Sequence, residues 1–295
     1  MKLIRDIHRA WVPGSRPVIS FEFFPPKTEE GDKTLLGKTV PELLSARPDF
    51  CSVTYGAGGS TREKTLSIAE RIQNEHHLTT MAHLTCVNAT SDEIGSVLSE
   101  AEKRGIRNVL ALRGDSPGGG EFVKTAGGFE FSAQLIQFIR RRGGFCIGTA
   151  GFPEGHIACK DGKEVDWQRL KEKIDCGADF VVTQLFYDNE DFYRFREHLV
   201  KKLGVTVPIC AGILPVLSIT QIKRFAALCG ARIPADMENS LTTLAADEEG
   251  SINYGIEYAT RQCGDLAKNG VCGFHFYTLN KTRSTLATVR NLGWM

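Results

Sequence analysis

Near its N-terminus the chain reads Val18-Ile19-Ser20-Phe21-Glu22-Phe23-Phe24-Pro25-Pro26. Branched and aromatic residues of this kind favour a β-strand, and the two prolines end it. One carboxylate, Glu22, stands within the apolar run. Desolvation among the flanking phenylalanines predicts that the pKa of Glu22 lies above its usual range, which suits a proton donor near neutral pH. The alternative is that Glu22 pairs with an arginine or lysine and only organises the core.

The same strand pattern recurs along the chain and alternates with helical patterns. The predicted strands cover residues 18–26, 50–56, 80–86, 109–113, 146–151, 180–187, 207–214 and 273–279. The predicted helices cover residues 28–46, 61–76, 91–104, 132–142, 166–176, 189–202, 218–228, 235–244, 247–268 and 281–291. Right-handed crossovers between such strands give a parallel sheet, and eight units in 295 residues match a closed barrel. We therefore predict an α/β fold, a (β/α)8 TIM barrel, as a single domain over residues 1–295 with a lead-in over residues 1–17.

The composition is typical of a globular protein with a sizeable core, at 42% hydrophobic and 24% charged residues. A formal net charge of +1 gives no electrostatic reason to expect a nucleic-acid partner. No apolar run approaches the ~20 residues of a membrane span, and the charged N-terminus is unlike a secretory signal. The nine cysteines contain no Cys-x-x-Cys pair, so we expect reduced structural thiols, no metal site and a cytoplasmic protein.

Polar residues cluster at the C-terminal ends of the predicted strands, where a barrel of this kind carries its chemistry. They are Glu22, Thr54 with Tyr55, His83 with Thr85, Arg113-Gly114-Asp115, Gln184, and Tyr277 to Asn280, together with Gly151 and Gly212 to Pro215. This pattern predicts an enzyme without specifying the reaction.

Most simple motifs are absent. The segment Gly56-Ala57-Gly58-Gly59 does not complete a dinucleotide-binding fingerprint, and the chain contains no P-loop. His83 and Cys86 are three residues apart on a strand and point to opposite faces, which argues against a shared metal ion. Arg113 and Asp115 could bind a ligand or simply pair with each other. A lyase with a lysine Schiff base is disfavoured because no predicted strand end carries a lysine.

Seven segments resemble, in order, the signatures of the methylenetetrahydrofolate reductase family. They are Ser20–Lys27, Val53–Ala57, His83–Cys86, Leu112–Asp115, Thr183–Phe186, Gly212–Pro215 and Phe274–Asn280, within a match from Val18 to Gly293. The resemblance implies a TIM-barrel flavoprotein that holds FAD non-covalently. It implies a ping-pong oxidoreductase in which NADH or NADPH reduces the flavin and hydride then passes through flavin N5 to 5,10-methylenetetrahydrofolate. The product would be 5-methyltetrahydrofolate, for one-carbon and methionine metabolism.

The resemblance also implies roles for individual residues. Glu22 would be the general acid that protonates folate N10, and Asp115 would tune the flavin and help to bind folate. The flavin would contact Thr54, Tyr55, Ala57, His83, Arg113, Gly114, Asp115, Ser132, Phe152, His156, Cys159, Asp166 and Lys173. The folate would contact Glu22, Asp115, Gln184, Gln221, Phe225 and Lys281. A flavin or folate binder without catalytic activity is the remaining alternative.

Several positions depart from the family pattern. Phe152 replaces a common tyrosine, Cys159 replaces the usual alanine, and residues 169 and 172 lie at variable flavin-side positions. Lys281 replaces an arginine and loses bidentate geometry toward the substrate. We expect no C-terminal regulatory domain after residue 295 and no membrane partner. The choice between NADH and NADPH and the oligomeric state, including a homo-oligomer, stay open at this stage.

Overall fold

Eight parallel strands close into a barrel in the computed structural model, which describes residues 1–55, 62–115, 120 and 122–295. Each strand pairs with its neighbours in the sequence, and the last pairs with the first. The strands are β1 (Val18–Phe23), β2 (Phe50–Val53), β3 (Thr79–Thr85), β4 (Asn108–Leu112), β5 (Cys146–Gly151), β6 (Phe180–Thr183), β7 (Ile209–Ile213) and β8 (Gly273–Tyr277). The predicted TIM barrel is therefore confirmed.

Helices surround the barrel and connect its strands. They are α1 (Ile4–Arg9), α2 (Glu29–Thr34), α3 (Val40–Leu44), α4 (Arg62–His76), α5 (Ser91–Lys103), α6 (Ser132–Arg142), α7 (Lys163–Asp175), α8 (Asn189–Glu197), α9 (Ile219–Cys229), α10 (Ala235–Thr243), α11 (Glu248–Lys268) and α12 (Arg283–Asn291). Two π-helical turns, Leu35–Thr39 and His198–Lys202, follow α2 and α8. Within the described ranges, no helix combines the length and apolar character that crossing a membrane requires.

Strand alternation divides the apolar side chains into two layers. On β1, Ile19, Phe21 and Phe23 point outward and join the main core between the barrel and its helices. Val18, on the other face, joins the cluster that fills the barrel interior. Ser20 and Glu22 share that inward face because side chains two apart in a strand lie on the same side. The barrel interior is thus apolar at its base and polar toward the C-terminal ends of the strands.

The N-terminal lead-in is structured and closes the base of the barrel, which the sequence did not predict. Ile4 on α1 is fully buried within the interior cluster. Asn108 at the start of β4 anchors it: its side-chain oxygen accepts the Ile4 N–H at 2.9 Å. The Asn108 amide also donates to the carbonyls of Lys2 and Thr80, each at 3.2 Å. One buried side chain thereby satisfies three polar groups, two on the lead-in and one on β3.

The helix predicted over residues 28–46 is in fact interrupted. Thr28 caps α2 as expected, accepting a hydrogen bond from the Gly31 N–H at 3.1 Å. A π-helical turn then separates α2 from α3, and Pro41 lies at the start of α3. Since proline lacks an N–H, it cannot continue the regular hydrogen-bond ladder. Elsewhere the predicted order holds, although β1, β2, β6, β7 and β8 are all shorter than predicted.

Asn108→Ala should destabilise the protein by about 2 kcal/mol, because it leaves the buried Ile4 N–H without an acceptor. Urea unfolding followed by circular dichroism would measure the change. Asn253→Ala is the matched control, since Asn253 is exposed on α11 and its removal should cost little. Equal effects of the two substitutions would contradict the anchoring role of Asn108.

Candidate active site

Glu22 lies inside the barrel near the C-terminal end of β1, with only 5% of its surface exposed. Its Oε2 atom is 3.3 Å from His83 Nε2 on β3 and 3.4 Å from His275 Nε2 on β8. The Ser52 hydroxyl on β2 also donates to Oε2, at 3.4 Å. Three neighbouring strands thus converge on one carboxylate oxygen.

These contacts reverse the predicted direction of the Glu22 pKa shift. Burial alone raises the pKa, but the nearby Nε2 atoms of His275 and His83 favour the ionised form, outweigh burial and lower the pKa to about 2. The prediction of a raised pKa is wrong because it lacked these two histidines, and because Phe21 and Phe23 face the outer core. The alternative of an arginine or lysine partner is also wrong, since the partners are histidines.

His275 and two serines are functional candidates that the sequence did not single out. His275 is fully buried, and its Nδ1 is 2.7 Å from the Ser20 hydroxyl. Its Nε2 is 3.3 Å from the Ser52 hydroxyl. The available signal was the inward face of the strands: Ser20 and Glu22 alternate on β1, and the register places Ser20 beside His275.

A buried tyrosine hydroxyl lies in the barrel wall, below the open end that the C-terminal ends of the strands form, which we call the mouth. The Tyr277 hydroxyl on β8 donates to the Thr183 carbonyl at 2.6 Å, and burial raises its pKa well above the usual range. Gly212 on β7 permits this contact, because a Cβ there would lie 2.1 Å from the Thr183 carbonyl and 2.9 Å from the tyrosine ring.

The ends of β2 and β3 carry further predicted flavin residues. Thr54 is buried, and its N–H donates to the Phe23 carbonyl at 2.9 Å. Tyr55 is half-buried, and burial raises its pKa. His83 Nε2 and Thr85 Oγ1 are buried at this end without a well-aligned hydrogen bond inside the described part of the chain. Ala57 lies outside the described residues.

The Arg113-Gly114-Asp115 turn follows β4 and leaves both charged side chains available. Gly114 has a φ of +85°, and a Cβ there would lie 2.7 Å from the Val87 side chain. The Arg113 guanidinium lies 5.1 Å from the centroid of the Phe122 ring, while Asp115 is exposed. No ion pair between Arg113 and Asp115 occurs among the described residues, so the internal pairing that the sequence left open is not formed.

A second group of predicted flavin residues follows β5. Burial lowers the pKa of His156, which is also within range of the charges of Asp166, Arg113, Lys173 and Asp115. The Asp166 carboxylate accepts the His156 N–H at 3.2 Å. Burial lowers the pKa of Lys173 to about 8, against the charge of Asp166, and its Nζ donates to the Ala150 carbonyl at 2.7 Å.

The structure also describes the remaining flavin-side predictions. The Phe152 ring contacts the His156 ring edge-on, with centroids 4.5 Å apart. Cys159 Sγ lies 3.2 Å from the Arg169 guanidinium. Ser132 is the first residue of α6 and is half-buried.

The predicted folate residues lie around β6, β7 and β8. Gln184 directly follows β6 and is half-buried, with its Oε1 accepting the Leu185 N–H at 2.8 Å. Gln221 and Lys281 line one small cavity together with Tyr277. Phe225 is half-buried one turn further along α9, beside an apolar cluster at this end of the barrel. The structure therefore brings Gln221 and Lys281 together although 60 positions separate them.

Gly114→Ala should destabilise the protein by about 1–3 kcal/mol more than Gly143→Ala, because only the first forces a methyl group into neighbouring side chains. Both glycines have positive φ, at +85° and +78°, but a Cβ at Gly143 would meet nothing within 4 Å. The pair shares a positive φ and differs in whether the added methyl group meets neighbouring side chains. Thermal unfolding of both variants would measure the difference, and equal losses would show that crowding at Gly114 is unimportant.

The chain is similar to several known proteins. A family model described as methylenetetrahydrofolate reductase matches residues 7–293. A probable methylenetetrahydrofolate reductase (NADH) from rice, Oryza sativa subsp. japonica, is 41% identical over 99% of this chain and 51% of its own length. The 5,10-methylenetetrahydrofolate reductase of Escherichia coli strain K12 is 38% identical, over 93% of this chain and 90% of its own length.

The chain spans about half the length of the plant relatives it matches. Among solved structures, an uncharacterized protein from Clostridium thermocellum that binds two copies of 5-methyl-5,6,7,8-tetrahydrofolic acid shares the fold. Its TM-score is 0.67 at 19% identity, over 99% of this chain and 98% of that one. From the family match and these identities, the chain belongs to the methylenetetrahydrofolate reductase family.

Proposed function

We propose that this protein is a FAD-dependent oxidoreductase that uses NADH or NADPH to reduce 5,10-methylenetetrahydrofolate to 5-methyltetrahydrofolate. The observation that carries the proposal is the buried Glu22 carboxylate at the strand-end mouth, in contact with His83 of the predicted flavin set. Family membership supports the same reaction, and the name of the rice relative favours NADH as the first reductant to test.

The residues at the mouth fit an anionic dinucleotide such as FAD. Arg113 and Lys173 supply positive charge on the side of the mouth that also holds Asp166 and His156. Thr85 Oγ1 is a buried polar atom with no hydrogen-bond partner in the described part of the chain. A bound flavin would offer it a hydrogen-bond partner. Bound FAD would supply a two-electron carrier that takes hydride from the nicotinamide and gives it to the folate.

Glu22 is proposed to protonate N10 of the folate, so that the five-membered ring opens to the N5 iminium that accepts hydride. This step requires a protonated carboxyl group, whereas His83 and His275 hold Glu22 ionised at neutral pH. Both histidines face Oε2 with their Nε2 atoms, so a proton on either ring has a direct path to the carboxylate. Glu22 would therefore take its proton from this cluster when folate N10 is positioned to receive it.

The other polar residues are proposed to bind and orient the substrates. Asp115 would interact with the pterin and adjust the reactivity of the flavin through its negative charge. Gln184, at the end of β6, offers an amide to folate or nicotinamide by turns. Gln221, Phe225 and Lys281 would line the path of the folate tail, with Lys281 acting as a point charge.

Purified protein should be yellow, and its flavin should bleach anaerobically when NADH or NADPH is added. Glu22→Gln should keep that reduction but slow flavin reoxidation by 5,10-methylenetetrahydrofolate by at least ~10²-fold, since it removes the general acid. Stopped-flow absorbance of the two half-reactions would measure both rates. Glu190→Gln, on the exposed start of α8, is the matched control.

These measurements distinguish a wrong function from a wrong role for Glu22. A colourless protein that neither binds FAD nor oxidises reduced nicotinamide would refute the proposed function. If both half-reactions survive equally in Glu22→Gln, the function stands and the role of Glu22 is wrong.

Asp115→Asn should weaken folate binding and alter the flavin reduction potential, because it removes a negative charge that acts on the flavin site. Equilibrium binding of 5-methyltetrahydrofolate and a spectroelectrochemical titration would measure these effects. Asp6→Asn, at an exposed position on α1 beneath the base of the barrel, should change neither quantity. Unchanged values in Asp115→Asn would exclude its proposed role.

A further inference from the structure

His275 is held by hydrogen-bonding groups on both sides of its ring. The Ser20 hydroxyl is 2.7 Å from Nδ1, and it lies 3.3 Å from the Phe274 carbonyl oxygen. On the opposite side, Nε2 faces Glu22 Oε2 at 3.4 Å and the Ser52 hydroxyl at 3.3 Å. The ring is fully buried, so water does not compete for these contacts.

Aromatic neighbours fix the plane of the ring. The Phe50 ring stacks on His275 with centroids 6.3 Å apart and an interplanar angle of 19°. The Tyr277 ring meets it edge-on, with centroids 5.4 Å apart. His275 can therefore change the position of its proton without changing its orientation.

The hydrogen-bond inventory couples the tautomer of His275 to the charge of Glu22. Ser20 has one hydroxyl proton, which goes either to Nδ1 or to the Phe274 carbonyl. The 2.7 Å contact is a hydrogen bond in either tautomer, so the group that faces Nε2 decides: a carboxylate there favours a ring proton on Nε2, and Ser20 then donates to Nδ1. With Glu22 ionised, the opposite tautomer would bring a nitrogen lone pair against the carboxylate.

We propose that His275 is a positioning residue that sets the proton affinity of Glu22 by directing an Nε2–H at the carboxylate, and that Ser20 stabilises this tautomer by donating its hydroxyl proton to Nδ1. The Phe274 carbonyl gives the Ser20 hydroxyl a second acceptor, so the opposite tautomer is accommodated when Glu22 is protonated. The inference rests on the proposed function only for its consequence in turnover.

Two other ionisable side chains, His83 and Tyr277, also face Glu22 and can affect its pKa. His83 on β3 is 3.3 Å from Glu22 Oε2, and Tyr277 on β8 lies beside both Glu22 and His275. The charge of Glu22 contributes to raising the pKa of Tyr277 after the larger effect of burial, so this tyrosine stays neutral near pH 7. His83 provides the second histidine contact and is left intact in the test.

The first test reads the tautomer directly. Nitrogen-15 NMR of histidine-labelled protein at neutral pH should show His275 with its proton on Nε2, assigned by the signal lost in His275→Gln. In Ser20→Ala the Nδ1 atom loses its partner, and the single tautomer should give way to a mixture. Ser251→Ala removes another buried hydroxyl, on α11, and should leave the spectrum of His275 unchanged. An Nδ1–H tautomer in the unmodified protein would overturn the proposal.

The second test measures the proton affinity of Glu22 by infrared titration, with Glu22→Gln identifying its carboxyl band. His275→Phe removes the donor while keeping a ring, and we expect the pKa of Glu22 to rise by at least about one unit because desolvation then dominates. His275→Gln returns an N–H near the position of Nε2 and should restore most of the downward shift. A band that titrates identically in the unmodified protein and in His275→Phe would overturn the proposal.

Neither test uses folate or reduced nicotinamide, so its result is independent of the proposed reaction. If His275→Phe raises the pKa of Glu22 in a protein that does not reduce folate, the inference stands and the proposed function fails. If folate reduction proceeds but the pKa of Glu22 is unmoved, the proposed function stands and the inference fails.

Discussion

The burial of one carboxylate inside the barrel is the constraint on which the rest of the site depends. An ionised side chain removed from water costs several kcal/mol unless other groups compensate for it. Here Ser52, His83 and His275 approach the same oxygen of Glu22 from three other strands. Those strands can converge only because the parallel register is closed, with β8 paired to β1. Closure of the barrel is therefore required for the three contacts to Oε2 of Glu22.

The sequence predicted the barrel because each strand and helix carries its own local pattern, and eight repeats of that pattern suffice to specify the architecture. It did not predict α1, since Ile4 is buried by residues far along the chain and its anchor, Asn108, lies on another strand. The sequence did not predict the break between α2 and α3, because the residues on both sides of Pro41 share one continuous helical pattern. The local patterns predicted strands and helices correctly. The spacing of residues in the sequence did not predict the contacts across the barrel.

For the same reason, the sequence predicted which residues lie at the strand ends but not which side chains surround Glu22. The positions of Glu22 and His83 at strand ends followed from the pattern, and the structure places them in contact. The direction of the Glu22 pKa shift was wrong because the prediction considered its neighbours in sequence, which face outward. Its true neighbours, such as His275, are more than 200 residues away in the chain. Strand alternation would have excluded the phenylalanines, but only the register of the closed barrel supplies the histidines.

The low pKa of Glu22 in the open site is compatible with its proposed role as an acid because the two half-reactions make different demands. Hydride transfer from a reduced nicotinamide needs no proton from the protein, whereas opening the folate ring does. A carboxylate held ionised by His275 and His83 would leave the first step unaffected. For the second step, a proton can pass to Oε2 from the Nε2 atom of a facing histidine, and the Phe274 carbonyl accepts the Ser20 hydroxyl in the matching tautomer of His275. On this reasoning, the cluster that keeps Glu22 ionised is also the source of the proton that the folate step requires.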